Sequence, residues 1–385
     1  MTTYRAETAR AALDALSRAG LSWEEFAETA LGVLRRAVPF DGACFGTVDP
    51  ATLMLTSSVK ADMENPVEAE FAHHEYVEDD VSLFRDLAMR KVGVSILHEE
   101  TGGDPRRSSR FRDLFEPKLG VGYELRAVMR SGGQTWGALA FYRGSGRSGF
   151  SPAEADFLDG LSDTLAAGIR TGLVAGAACR RDQAPTGPVE VADEDEGPVV
   201  LAFDRDNEVC LATPAAEQRI ADLGGDVWGE LPPPVLGIVA AARALEAGRT
   251  GSVPRMRVRS RSGEWLTVRA SPLSRRTERG AQVAVTIEKA GTTEVLPLVV
   301  AAFGLTPRER DVLEGVLQGV TTAEIAKALH LSPYTVQDHL KVVFEKAGVR
   351  SRRELVAKVY FDHYAHRKNS ALGPSGRFAH RAGSE

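Results

Sequence analysis

The sequence predicts a multidomain chain in which two α+β domains precede a small all-α domain, and three observations carry that expectation. The 385 residues exceed what one ordinary hydrophobic core organises. Apolar spacing alternates between helical and strand-like periods up to about residue 290, whereas from Leu305 onward every apolar stripe has helical spacing. A stretch with Pro185, Pro188 and the acidic run Asp193 to Glu196 has neither period and reads as a linker over 179–196.

Composition narrows the function classes. With 43% apolar and 26% charged residues the chain has the make-up of a soluble globular protein. A net charge of -6 means that any contact with a polyanion must come from a local patch. Between Phe303 and Lys368 there are 11 Lys/Arg against 8 Asp/Glu, a mildly basic segment of +3. Cys44, Cys179 and Cys210 lack the paired spacing of a zinc site, so they read as small, partly buried filler in a reducing cytoplasm. No apolar run is long enough to span a bilayer, and Arg5, Glu7 and Arg10 break any secretion signal. The expected location is cytoplasmic.

In the first domain, 1–178, Ala6 to Val38 reads as two amphipathic helices, the second introduced by Ser22-Trp23-Glu24-Glu25. Ala43 to Val48 and Leu53 to Thr56 flank Asp49-Pro50-Ala51-Thr52 as strand, turn and strand. A helical block from Pro66 to Arg90 and a short strand from Val92 to Leu97 follow. Gly122 to Arg130 and Thr135 to Arg143 form a hairpin around Ser131-Gly132-Gly133-Gln134. Ser151-Pro152-Ala153-Glu154 then opens one long helix to about Ala178. This order, with Trp136-Gly137-Ala138-Leu139 before Phe150-Ser151, resembles a GAF domain, a small-molecule and regulatory module. The resemblance implies an α+β sensor fold that takes a small-molecule effector, although the sequence names no ligand pocket and no cofactor.

Two further patterns in this domain have bland readings. Gly144, Gly146 and Gly149 spell G-x-G-x-x-G, but the preceding strand belongs to a hairpin, so a solvated loop is expected. His73, His74, Tyr76, Glu78, Asp79 and Asp80 lack metal-ligand spacing and read as a polar helix face. No metal is expected there. Leu158, Leu161, Leu165 and Ile169 make a stripe that serves either pairing between subunits or packing on the domain's own sheet.

Over 197–290, strands are expected at Val199 to Phe203, Glu208 to Ala212, Arg255 to Ser260, Glu264 to Ser271 and Gln282 to Glu288. Helices are expected at Pro214 to Asp222 and Pro234 to Glu246. This arrangement resembles a PAS-like sensor domain. Arg255, Arg257, Arg259 and Arg261 alternate along one strand and read as a solvated face. Residues 291–302 are expected to be a second linker.

In the last domain, 303–366, Thr306-Pro307-Arg308-Glu309, Thr321-Thr322-Ala323-Glu324 and Ser351-Arg352-Arg353-Glu354 are capping boxes, and Ser332-Pro333 is a fourth helix start. Gly319 and Gly348 sit where two helices should stop. Val312, Leu313, Val316, Leu317, Ile325, Leu329, Val336, Leu340, Val343 and Ala347 follow helical spacing and can close on one core. Opposite that stripe, the third helix presents Tyr334, Gln337, Asp338, Lys341 and Glu345. A compact helix, the turn His330-Leu331-Ser332 and a helix with a polar outer face make a helix-turn-helix.

The segment resembles the LuxR/GerE-type helix-turn-helix family through Leu305 to Glu309, Val312-Leu313, Gly319, Glu324 to Ala326, Thr335-Val336, Lys346, Gly348-Val349 and Ser351-Arg352. The resemblance implies double-stranded DNA as partner, with Gln337, Asp338 and Lys341 reading base edges and Thr322, Thr335, Lys346, Arg350 and Arg352 holding phosphates. One small helix reads few base pairs, so a homodimer on a two-fold site is expected, with RNA polymerase a candidate partner. Residues 367–385 are expected to be a disordered tail. The sequence holds no nucleophile or phosphate constellation that would make the chain an enzyme. The reading is a transcription regulator; the alternative is a ligand- or partner-sensing scaffold whose C-terminal helices bind protein.

Overall fold

The computed structural model describes residues 3–63, 67–179, 198–225, 231–251, 253–273, 282–360, 371–372 and 378–379. The expected linker over 179–196 lies, apart from Cys179, outside the described residues. The chain divides into two compact units, Met1–Leu298 and Val299–Glu385.

The first unit holds two five-stranded antiparallel sheets. Helices α1 (Thr3–Ser17) and α2 (Trp23–Ala37) lead into β1 (Gly42–Val48) and β2 (Leu55–Ala61). The expected capping box of α2 is formed, Ser22 N donating to Glu25 at 3.0 Å and Glu25 N to the Ser22 hydroxyl at 3.3 Å. The helical block expected from Pro66 to Arg90 is two helices, α3 (Glu68–Tyr76) and α4 (Phe84–Met89), with Val77 to Leu83 between them. Strand β3 (Val94–Ile96), helix α5 (Leu97–Glu100), a short turn at Pro105–Arg107, a π-helical turn at Phe111–Phe115 and α6 (Glu116–Leu119) follow. The hairpin β4 (Val121–Ser131) and β5 (Gln134–Gly144) closes the sheet in the order β2-β1-β5-β4-β3. The single long helix expected after Ser151 is broken into α7 (Pro152–Asp159) and α8 (Ser162–Cys179), because the chain turns at Gly160 and Leu161. Helices α1, α2 and α8 cover one face of this sheet and α3 to α6 the other, an α+β arrangement.

Packing settles the fate of the leucine stripe. Leu158, Leu161, Leu165 and Ile169 are each at most 1% exposed, and a Cβ added to Gly137 of β5 would lie 2.4 Å from Ile169 Cδ1. The stripe is the underside of the domain's own sheet, so it cannot pair subunits as it stands.

The histidine-acid segment also differs from the polar helix face expected of it. Asp79 is exposed, but His74, Glu75 and Asp80 are buried. Arg110 donates to Asp80 at 3.1 Å and Glu124 at 2.7 Å, and Arg126 to Glu124 at 2.9 Å and Glu75 at 2.8 Å. Two guanidinium groups and three carboxylates thus share one dry site. Burial alone would raise the Glu124 pKa, but Arg110 and Arg126 outweigh it and hold the carboxyl below its usual range. Among the described residues no group of three or more His, Cys, Asp or Glu is placed to hold a metal ion.

The second sheet has the order β7-β6-β10-β9-β8, built from β6 (Val199–Phe203), β7 (Val209–Ala212), β8 (Arg255–Arg259), β9 (Trp265–Pro272) and β10 (Val283–Lys289). Helices α9 (Ala216–Asp222) and α10 (Pro233–Glu246) pack on it, with Ile220, Val235, Ile238, Val239 and Ala242 joining Leu201, Phe203, Leu266, Val268 and Val285 in one core. The expected solvated arginine face is solvated only at its ends. Arg255 and Arg261 are exposed, whereas Arg257 clamps the buried Asp49 of the first sheet domain, at 3.0 Å from Nε and 2.5 Å from Nη2. Arg259 donates to the Leu173 carbonyl and lies 5.7 Å over the Trp265 ring. The alternation is real, but the face it creates packs against the first sheet domain rather than water.

The expected linker over 291–302 is a helix, α11 (Thr292–Ala302), with Pro297 inside it. Helices α12 (Pro307–Leu317), α13 (Thr322–Ala328), α14 (Pro333–Ala347) and α15 (Arg352–Tyr360) follow. Of the expected tail, 371–372 and 378–379 pair as short antiparallel strands β11 (Ala371–Leu372) and β12 (Phe378–Ala379); the rest of it lies outside the described residues. No helix among the described residues is long and apolar enough to cross a membrane.

Candidate nucleic-acid interface

Local chemistry fixes each helix start in the last unit. Thr306 N donates to the Glu309 carboxylate at 2.9 Å and Thr321 N to Glu324 at 2.7 Å, while each hydroxyl accepts from the corresponding backbone N–H in return. Ser332 accepts from Thr335 N at 3.0 Å with Pro333 at the first helical position. Ser351 accepts from Glu354 N at 3.1 Å, but the Glu354 carboxylate reaches back to Arg350 N, one residue beyond the cap. Gly319 and Gly348 adopt φ of 79° and 63°, the left-handed conformation that ends α12 and α14.

Those starts orient α14. Val336, Leu340, Val343 and Ala347 are buried and face α12, α13 and α15, which also supply Val312, Leu313, Val316, Ile325, Ala326, Leu355 and Val359. Leu317 and Leu329, expected in the same core, are half-buried. On the opposite side Gln337, Asp338 and Lys341 are exposed, and Tyr334 is 74% exposed at the start of the same face. Gln337 and Lys341 stand one turn apart, about 6 Å along the axis. His339 is half-buried between the two faces.

The residues expected to hold phosphates fall into two groups. Thr322 and Thr335 lie half-buried at the starts of α13 and α14, and the Thr335 hydroxyl is 2.9 Å from that of Ser332. Arg350 is exposed in the turn before α15. Lys346 and Arg352 are engaged inside the domain. The Lys346 ammonium donates to Glu309 at 2.6 Å and to the Gly304 carbonyl at 3.3 Å, and Arg352 donates to the Val320 carbonyl. Burial would raise the Glu309 pKa, but the Lys346 ammonium and the Thr306 bonds hold it below its usual value. Sequence reasoning missed this tie, since nothing local links residues 309 and 346.

The turn between α13 and α14 carries a strained residue. His330 has φ of 55°, a left-handed conformation that a side chain rarely adopts. The turn was expected at His330-Leu331-Ser332, but a histidine, unlike a glycine, does not announce the left-handed conformation.

Residues 304–359 match the family described as bacterial regulatory proteins, luxR family. Within this stretch the chain is 42% identical over 55 residues to the spore germination protein GerE of Bacillus subtilis, covering 74% of that protein and 14% of this chain. The chain belongs to the luxR family. A Mycobacterium bovis protein named as an HTH-type transcriptional regulator is 52% identical over 52 residues, 14% of this chain. The chain spans about 6% of the length of that relative, so the luxR likeness concerns the helix-turn-helix alone. Among solved structures, the phycoerythrobilin-bound GAF domain of a cyanobacterial phytochrome aligns at 16% identity over 43% of this chain and 95% of that chain, with a TM-score of 0.31.

Proposed function

We propose that this luxR-family chain is a DNA-binding transcriptional regulator in which the GAF-like and PAS-like domains govern a C-terminal reader of the major groove. The observation that carries the reading is the outward face of α14, where Gln337, Asp338 and Lys341 are exposed while the other side of the helix is the core. In this reading Gln337 pairs with adenine, Asp338 accepts from a cytosine amino group and Lys341 donates to guanine. Thr322, Thr335 and Arg350 hold phosphates, which set register without reading sequence. Lys346 and Arg352 are tied to Glu309, Gly304 and Val320, so they first hold α12, α14 and α15 in place, and only their remaining N–H donors can meet a phosphate.

The proposed division is a GAF-like domain over 1–178, a PAS-like domain over 197–290 and the DNA reader over 303–366. The reader acts as a homodimer on a two-fold site, in the cytoplasm, without catalysis of its own, with a small-molecule effector on the sensor side and RNA polymerase as the downstream partner. The dimer surface lies elsewhere than the buried Leu158 to Ile169 stripe.

The test uses the full chain and an operator selected from random duplexes. Binding weakens linearly in log-log form as salt rises, because each neutralised phosphate releases counterions. Lys341→Ala weakens specific binding by about 1–3 kcal/mol and relaxes the preference at one position. Selection that enriches no duplex, or enriched binding that ignores both salt and Lys341, overturns the reading.

A further inference from the structure

The first unit contains a cavity that no motif in the sequence announces. It lies between helix α3 and the β1, β2 and β5 side of the first sheet, a small void of about 70 Å³ that opens to solvent. Phe71, Phe84, Phe115 and Tyr142 make its walls largely aromatic. Two features go unexplained by packing. Glu68 Oε1 accepts from the Lys60 ammonium, yet its Oε2 is buried with no hydrogen-bond partner among the described residues. A buried carboxylate oxygen left in this state is costly, and native structures normally satisfy it. The second feature is the roof, which comes from the other sheet domain. Pro233 and Gly237 of α10 line the cavity, and a Cβ on Gly237 would stand 3.1 Å from the Tyr76 ring.

We propose that this cavity takes a compact, largely apolar ring molecule carrying an N–H or O–H donor, bound by Glu68 Oε2, and that its occupancy tightens α10 onto the first sheet domain. Aromatic walls favour a flat ring, which stacks or meets them edge-on. The unmatched oxygen can only accept, so the occupant must donate. Lys60 already balances the Glu68 charge, so a neutral donor suffices and a cation gains little. Coupling follows from the two sides of α10: Gly237 approaches the cavity while Val235, Ile238, Val239 and Ala242 belong to the core of the second sheet. Whatever fills the cavity is therefore gripped by both sheet domains at once.

The inference rests on the sensing part of the reading above and not on the DNA contact, so the test contains no DNA and its failure leaves the DNA reading standing. Indole and benzothiophene have the same fused-ring shape, but only indole carries an N–H. Titrated against the full chain by ligand-observed NMR, indole should bind about tenfold or more tightly than benzothiophene, the worth of one hydrogen bond to a charged group. Glu68→Met should erase that preference while benzothiophene binding persists. Gly237→Leu, with its fold checked by circular dichroism, should weaken both. Amide exchange across 233–246 should slow severalfold when indole is bound. Should Gly237→Leu fail to fold, Glu68→Met and the exchange measurement decide alone. Equal binding of the two rings, an unchanged preference in Glu68→Met, unchanged exchange in α10 at indole saturation, or no binding of either ring would each overturn the proposal.

Discussion

Among the described glycines of the first unit, Gly168 leaves an added Cβ the least room, and substituting it sets two opposed effects of known size against each other. Alanine in the middle of a helix is favoured over glycine by about 1 kcal/mol, so on propensity alone Gly168→Ala should stabilise α8. A Cβ built there, however, would lie 2.1 Å from Phe26 Cζ and 2.2 Å from Cε2, where ordinary contact needs 3.4 Å or more. The Phe26 ring would have to retreat by more than an ångström, yet it is 1% exposed and hemmed by Phe45 at a centroid distance of 6.4 Å. Forcing an atom into a close-packed core costs about 1–3 kcal/mol, and a displacement of this size belongs at the upper end. The net expectation is a loss of about 2 kcal/mol. Phe26→Leu alone opens space and also destabilises, but it removes the ring atoms that clash. The double variant should therefore be more stable than the sum of the singles by about 3 kcal/mol, the relieved clash, a coupling that residues in direct contact allow. Urea unfolding of the full chain, followed by exchange protection in α2 and α8, supplies the four corners of the cycle. A stabilised Gly168→Ala protein, or strictly additive singles, refutes the reasoning.

Three more outcomes follow from other sites. At His330, glycine should relieve a left-handed strain of about 1–2 kcal/mol while adding about 0.4–1 kcal/mol of unfolded-chain entropy, for a small net rise in the midpoint of the last unit; His330→Val should lower it. Glu309 has its pKa held below that of an ordinary glutamate, so the stability it contributes is complete above the ordinary value and is lost as pH falls through the depressed one. Glu309→Gln should accordingly flatten the acid limb of exchange protection in α12, and an identical limb in both proteins would remove the Lys346 tie from the account. Replacing Arg126 by Met leaves Glu75 without its counter-charge and Glu124 with Arg110 alone in a buried site, and should cost about 3–5 kcal/mol, read as a shift in the unfolding midpoint of the first unit; a loss below 1 kcal/mol would mean water reaches the network.

What was legible in the sequence tracks how far apart the interacting residues lie along it. The four helix starts of the last unit depend on pairs three residues apart, such as Thr306 with Glu309 and Thr321 with Glu324, and both their existence and their positions were readable. The strands of the second sheet were equally readable, because alternation between β8 and β9 is a local pattern. Periodicity tells which residues share a face but not what the face meets. Arg257 and Asp49 are 208 positions apart, so nothing near Arg257 could reveal that its face is covered. Arg110 and Arg126 were passed over for the same reason: their burial depends on Glu75, Asp80 and Glu124, which arrive from α3, the loop after it and the middle of β4. The break at Gly160 and the helix over 292–302 are different failures, because both are local. A glycine was carried through a helix it ends, and 291–302 was read as a linker although a helix with Pro297 inside it runs there.

The same distinction bears on how the proposed sensing and reading are encoded. The α14 face needs only residues between 304 and 359: the caps set the helix starts, the core sets their angles, and the exposed side is what remains. Its form is therefore nearly independent of what precedes it in the chain. The cavity is the opposite case. Its walls come from β1, β2, α3, β5 and the turn at Phe115, and its roof from α10, more than 150 residues beyond Glu68. An occupant can change the arrangement of those pieces only by being bound differently in two of them. Glu68 is in one sheet domain and Gly237 in the other, which is the minimum that a signal from a bound molecule requires. A variant that binds indole normally but no longer slows exchange in α10 would locate the break in that signal at the Gly237 contact, and Gly237→Ala, the smallest intrusion toward Tyr76, is the variant to make first.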